Sequence, residues 1–196
     1  MLMAVFCLGA SLIGINAQEK DWANLQRYAQ QNAELPKPDK NEKRVVFMGN
    51  SITEGWVNTH PDFFKSNGYI GRGIGGQTSY QFLVRFREDV INLSPALVVI
   101  NAATNDIAEN TGAYHEDRTF GNIVSMVELA KANHIKVILT TTLPAAAFGW
   151  NPAIKDAPQK IASLNARLKA YAQTNKIPFV DNRFHVGIVG HRFHRR

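Results

Sequence analysis

Three short polar stretches hold the residue types that could do chemistry. Ser51 lies in Gly49-Asn50-Ser51-Ile52-Thr53, Gly76 in the run Gly71-Arg72-Gly73-Ile74-Gly75-Gly76-Gln77-Thr78, and Asn105 in Ala103-Thr104-Asn105-Asp106. A serine hydroxyl is a nucleophile once a base takes its proton, while a backbone N–H and a side-chain amide can hold an oxyanion. One attacking group with two stabilising donors is what acyl transfer requires. Each stretch also has a plainer reading. Ser51-x-x-Glu54 has the form of a capping box, in which Ser51 would only start a helix. Gly76 alone reads as a turn residue and Asn105 alone as a loop-capping amide. The choice depends on whether the three stretches meet.

The elements around them argue that they do. Residues 45–48 are four consecutive apolar residues, the pattern of a strand buried on both faces. A polar amphipathic helix is expected over 18–35, ended by Pro36-Lys37-Pro38, and a short helix and turn over 61–68 with Phe63 and Phe64 as core. Tyr69-Ile70 begins a short second strand. A helix over 80–92 carries Phe82, Phe86 and Val90 on one face, and a third strand follows over 96–101. Then come a helix over 120–133, a strand over 136–141, a helix over 158–175 and a short strand over 178–181. Five strands alternating with helices specify an α/β fold with a parallel, doubly wound sheet. Turns at the carboxyl ends of such strands converge on one crevice, and Ser51, Gly76 and Asn105 each follow a strand.

Length and charge bound the rest. The chain has 196 residues, enough for one domain with a substantial core. The formal charge is +6, but four arginines (183, 192, 195 and 196) with no acid among them fall in the last fourteen residues. A charge concentrated in a tail gives little support to a nucleic-acid partner. Residues 1–17 carry no charge and are mostly apolar, too short to span a bilayer, and end in Ile15-Asn16-Ala17. They read as a signal peptide, and the protein as secreted or periplasmic with no membrane span in the mature chain. Cys7, the single cysteine, lies inside this segment, and Phe6 before it argues against a lipoprotein cleavage site. Gly71 to Gly76 formally matches the dinucleotide fingerprint, but it follows a second and very short strand. We reject an oxidoreductase on that ground.

The three stretches together resemble the SGNH hydrolase superfamily, also called GDSL-like lipases and acylhydrolases. Gly49-Asn50-Ser51-Ile52-Thr53 is similar to the family's G-D-S-I-T block, with Asn50 in place of aspartate. The stretch 73–78 is similar to its second block, and Ala103-Thr104-Asn105-Asp106 to its G-x-N-D, with Ala103 in place of glycine. The resemblance covers residues 44–181, after a helix and connection over 18–43. It implies a three-layer α/β/α sandwich with a five-stranded, flavodoxin-like sheet. It also implies Ser51 as nucleophile, and an oxyanion hole from the backbone N–H groups of Ser51 and Gly76 with the Asn105 side chain. The reaction would be hydrolysis of short acyl esters, including O-acetylated carbohydrate, without metal or organic cofactor. Trp56 and Arg72 are placed at the substrate crevice, with a core position left open for Trp56. A catalytically impaired family member, or a glycan-binding protein without turnover, is the alternative.

The family's Asp-x-x-His, source of its general base, has no counterpart here. After Asp181 the chain reads as an atypical basic tail over 182–196, with His185, His191 and His194. We read this tail as foreign to the fold, from a frameshift or premature end. His185, four residues after Asp181, is the candidate base, and His191 with His194 has a spacing that a metal could use. His60, His115 and His134 are placed on loops or helix ends.

Overall fold

A computed structural model describes residues 21–182. In chain order these form α1 (Ala29–Glu34), β1 (Val45–Gly49), α2 (Ser51–Thr59), α3 (Pro61–Ser66), β2 (Tyr69–Gly73), α4 (Ser79–Asp89) and β3 (Leu97–Ile100). The chain continues through α5 (Thr104–Ile107), α6 (Glu116–Ala132), β4 (Lys136–Thr140), α7 (Ala157–Thr174) and β5 (Phe179–Val180). All five strands are parallel, in the order β2-β1-β3-β4-β5.

That order fixes the layers. From β2 onward the chain crosses the sheet in one direction, through β3 and β4 to β5, whereas β1 to β2 steps the other way. Crossovers between parallel strands are right-handed, so α4, α6 and α7 cover one face and α2 with α3 the other. Side chains divide accordingly, because successive residues of a strand point to opposite faces. Val46, Met48, Val98, Ile100, Val137 and Leu139 are buried with Phe82, Phe86, Ile123, Met126, Leu164 and Leu168 of the helices. Phe47 points the other way, into a cluster with Trp56, Phe63, Phe64 and Tyr69, its ring centroid within 5.4 Å of those of Trp56 and Phe64. The strand order reverses between β1 and β3, and ligands of open α/β sheets bind at the carboxyl ends beside such a switch point. Ser51 follows β1 and Asn105 follows β3.

Several expectations shift. The amphipathic pattern over 21–35 yields a turn of 3-10 helix (Leu25–Arg27) and the short α1, because Asn24 has φ 54 and Tyr28 breaks the path between them. Of the two phenylalanines of α3, Phe64 is buried and Phe63 is 41% exposed, on the outer side of the aromatic cluster. The second strand is longer than expected and incorporates the glycines, with Phe47 opposite Gly71 and Gly49 opposite Gly73. The packing of α2 on β2 accounts for both. A Cβ on Gly71 would stand 2.2 Å from Val57 Cγ2, and one on Gly73 would stand 2.3 Å from the Glu54 nitrogen. These two glycines let a helix lie directly on a strand, which explains a run that imitates a dinucleotide fingerprint.

Candidate active site

The first turn starts where β1 gives out. Asn50 has extended backbone angles (φ −103, ψ −150), and its Oδ1 accepts the Ile52 N–H at 3.0 Å. The N-cap of α2 is therefore Asn50, and the expected capping box at Ser51 does not form. Glu54 turns away from the helix start. Its Oε2 accepts the Gly75 N–H at 2.9 Å, and its Oε1 meets Arg27 at 3.1 Å. Ser51 is exposed at the first position of α2, and among the described residues its hydroxyl has no hydrogen bond. A reciprocal cap operates instead at α4, where the Thr78 N–H donates to Gln81 Oε1 at 3.1 Å.

The second turn lies against the first. The Ile74 N–H donates to the Gly49 carbonyl at 3.1 Å, and a Cβ on Gly75 would stand 3.8 Å from Ser51 Cβ, ordinary contact. Gly76 has φ 76, in the left-handed region that glycine enters without penalty. The peptides before and after the one linking Gly75 to Gly76 are both held. Glu54 takes the Gly75 N–H, and Asn110 Nδ2 donates to the Gly76 carbonyl at 2.9 Å. Among the described residues the Gly76 N–H and the Ser51 N–H donate to nothing. The latter is one of the unpaired donors that every helix start presents.

Asn105 closes the arrangement from β3. Its side chain is 3% exposed, and Nδ2 donates to the Gln77 carbonyl at 2.9 Å, one residue past Gly76. A primary amide has two N–H groups, so one remains. Ala103, where the resembling family has glycine, keeps φ 82, the conformation that glycine supplies cheaply. The adjacent Asp106 has a different task. It accepts the Ser79 N–H at 2.9 Å and 3.1 Å, the Ser79 hydroxyl, and the Thr119 hydroxyl at 3.3 Å. It thereby fastens the Asn105 turn to the starts of α4 and α6. Burial raises its carboxyl pKa above the ordinary 3.8, against the opposing effect of those donors.

Beneath the turns lies a buried polar network that the sequence did not suggest. Arg85 has no exposed surface. It donates to Gln77 Oε1 at 2.6 Å and to the Gly49 carbonyl at 3.0 Å, and pairs with Asp89 at 2.8 Å. One guanidinium thus joins the end of β1, two residues before Ser51, to the residue after Gly76. Burial pushes the Arg85 pKa down while Asp89 holds it up. Gln77 Nε2 reaches the Ala23 carbonyl at 2.7 Å, tying this network to the N-terminal segment.

The placement of Arg72 is corrected, and the open choice for Trp56 falls to packing. Arg72 is buried away from the crevice, Nε and Nη2 donating to Asn32 Oδ1 at 2.9 Å and 2.6 Å and Nη1 to the Gly71 carbonyl at 2.9 Å, its guanidinium 4.7 Å from the Tyr28 ring centre. Arginine at this strand position points under α1, whose return to β2 no local pattern announces. Trp56, one turn beyond Ser51's own, packs among Phe47, Phe63 and Phe64 and lies 40% exposed on that cluster. His60 links α2 to α3, its Nδ1 2.8 Å from the Thr59 hydroxyl. His115 precedes α6, and His134 precedes β4 at the amino-terminal end of that strand, as expected for loops and helix ends. None of the three bonds to Ser51. Asp181 follows β5, beside Asn182, whose N–H donates to the Thr141 hydroxyl at 2.9 Å. His185, His191 and His194, like residues 1–17, lie outside the described residues.

Glu54, Asn110 and Arg85 are the residues that sequence reasoning missed. Glu54 had a local signal, but it was read toward Ser51 and not across to Gly75. The other two act over 34 and 36 residues of chain separation, which no local pattern records.

Comparison with known proteins follows the same lines. The model of the GDSL-like Lipase/Acylhydrolase family matches residues 47–194. The fold is similar to the crystal structure of a candidate acylhydrolase from Bacteroides fragilis NCTC 9343, with 96% identity and TM-score 0.85. That likeness covers 86% of this chain and 81% of the other. A GDSL-like lipase from Bacteroides thetaiotaomicron VPI-5482 gives 79% identity and TM-score 0.81, over 81% of this chain and 78% of its own. The uncharacterized lipoprotein YqeF of Bacillus subtilis (strain 168) is 32% identical over 117 residues, which is 51% of this chain. The match spans about half of that relative's length, 48%. With three turns meeting on a parallel sheet and a family match over most of its length, the chain belongs to the GDSL-like lipase/acylhydrolase family.

Proposed function

We propose that this protein is a serine carboxylic-ester hydrolase that cleaves short acyl esters through an acyl-enzyme. The observation that carries the reading is the meeting of the three turns: an exposed Ser51 whose Cβ lies 3.8 Å from where a Cβ on Gly75 would stand, with the Asn105 amide tied to Gln77. In this reaction Ser51 Oγ attacks the ester carbonyl carbon, and the carbonyl oxygen becomes an oxyanion. The N–H groups of Ser51 and Gly76 and the second N–H of Asn105 receive that charge, aided by the positive end of α2. Collapse expels the alcohol, which takes the proton that a base removed from Ser51. Water then attacks the acyl-enzyme by the same route and restores the serine. In this reading His185 serves as the base. The arrangement uses no metal or organic cofactor.

Among the described residues no helix is long and apolar enough to cross a membrane. We place the mature chain outside the cytoplasm because of its uncharged apolar segment over 1–17. The likeness to a lipoprotein is compatible with this.

The test is hydrolysis of p-nitrophenyl acetate, propionate and butyrate by the chain from Gln18 onward, beside Ser51→Ala and single alanine replacements of His185, His191 and His194. The expected outcome is activity on the acetate that Ser51→Ala removes and that His185→Ala lowers by at least about a hundred-fold. Activity that survives Ser51→Ala would defeat the nucleophile assignment. Folded wild-type protein that merely binds glycans without turnover would favour a binding role.

A further inference from the structure

Among the described residues Trp150 is the most exposed of the large apolar side chains, at 62%, and through Asn110 it stands beside the candidate oxyanion turn. Its position is fixed, not incidental. The loop after β4 is anchored on both sides of it. Phe148 is 1% exposed and plugs into the core, and Asn151 Nδ2 donates to the Ala108 carbonyl at 2.9 Å. Between these anchors Trp150 projects outward. One part of its indole packs on Phe148, ring centres 5.2 Å apart. Its one polar atom is also held, because Nε1 donates to Asn110 Oδ1 at 2.9 Å. That same Asn110 donates through Nδ2 to the Gly76 carbonyl. A single amide therefore links the tryptophan to the turn that carries the Gly76 N–H.

We infer that Trp150 is the stacking platform for a pyranose ring in the alcohol half of the substrate. The inference rests on the esterase reading and names the substrate class for that site. The surroundings distinguish a sugar from an acyl chain or another flat apolar group. An acyl chain needs an apolar groove. Here the polar neighbour of the indole is the Asn110 amide, with Asn151 next in the chain, and the apolar partner is the single ring of Phe148. A sugar ring presents the matching combination, an apolar face of C–H groups with a rim of hydroxyls. Holding the indole N–H internally leaves the ring face for stacking and keeps a ring bound there in register with the Gly76 turn.

The experiment compares kcat/KM for an O-acetylated methyl pyranoside and for ethyl acetate in the wild type, Trp150→Phe and Trp150→Ala. The ratio of sugar ester to ethyl acetate should fall about ten-fold in Trp150→Ala, the effect of losing roughly 50–60 Å² of apolar burial, and far less in Trp150→Phe. The fall should lie in KM. Equal losses on both esters, or none, would overturn the platform while leaving the esterase reading intact. If the wild type cleaves neither ester, the esterase reading fails and binding decides the platform. Saturation-transfer NMR with the deacetylated methyl pyranoside then supports it if transfer seen in the wild type disappears in Trp150→Ala, and overturns it if the wild type shows none. A concentration-dependent dimer dissolved by Trp150→Ala, without any sugar effect, would assign the exposed face to a second copy of the chain and also overturn it.

Discussion

Glu54 shows how much of the candidate site depends on groups that would never touch substrate. It lies three residues after Ser51 and accepts the N–H of the residue before Gly76. Arg27 draws its other oxygen outward. The direction of the Gly76 N–H is set by the plane of the peptide between Gly75 and Gly76, and Glu54 and Asn110 hold the peptides on either side of it. Glu54→Ala should therefore lower kcat about ten-fold with little change in KM, the size of one net hydrogen bond lost from a transition-state donor. Glu54→Gln keeps an acceptor and should restore most of the rate. A structural role alone would instead lower thermal stability in both variants without separating kcat from KM. Asn50 illustrates the opposite case, a departure from the family pattern with no loss of geometry, since amide and carboxylate oxygens cap Ile52 equally well.

At the scale of elements, the close seat of α2 on β2 aims Ser51. The helix rests on Gly71 and Gly73, and a Cβ on Gly73 would also meet the Asn50 carbonyl oxygen at 2.7 Å. Both of its nearest neighbours are backbone atoms, so nothing flexible can give way. Gly73→Ala should cost about 1–3 kcal/mol in urea denaturation and lower esterase activity by displacing the start of α2. A variant as stable as the wild type would mean that the helix can lift from the strand freely. The elements themselves were largely legible: β1, β3 and β4 as apolar runs, and α4, α6 and α7 from their apolar faces, with ends moved by at most four residues. Residues 21–35 were not legible as two short pieces, because Asn24 and Tyr28 break the helix through backbone angles that composition does not specify.

On the scale of the whole molecule, the site is assembled from turns about 25 to 55 residues apart and held by buried polar groups that join separate elements. Asp106 is one of these, linking the turn after β3 to α4 and α6. Its pKa is raised in the folded state, chiefly by desolvation. The folded protein therefore binds more protons than the unfolded chain in the interval above 3.8. The stability that Asp106 contributes is fully present below that value and is lost as pH rises through the raised one. Compared with the non-titrating Asp106→Asn, wild-type stability should decline as pH rises from about 4 and then level off. A difference that grows with pH over this range would mean that the Ser79 and Thr119 hydrogen bonds outweigh burial.

The sequence by itself determined the layers, the parallel sheet and the identity of three polar turns, because hydrophobic period and turn chemistry are written in neighbouring residues. It also supplied the family, through Ser51, Gly76 and Asn105 in order. Only the tertiary structure decided that Asn50 and not Ser51 caps α2, leaving the serine hydroxyl unbonded among the described residues, and that Arg72 and Trp56 belong to packing. It alone joined Glu54 to Gly75, Asn110 to Gly76 and Trp150, and Arg85 to both Gly49 and Gln77. The physical reason is common to all of these. Each is a hydrogen bond or contact between segments far apart in the chain, with an energy that exists only after the sheet has brought them together.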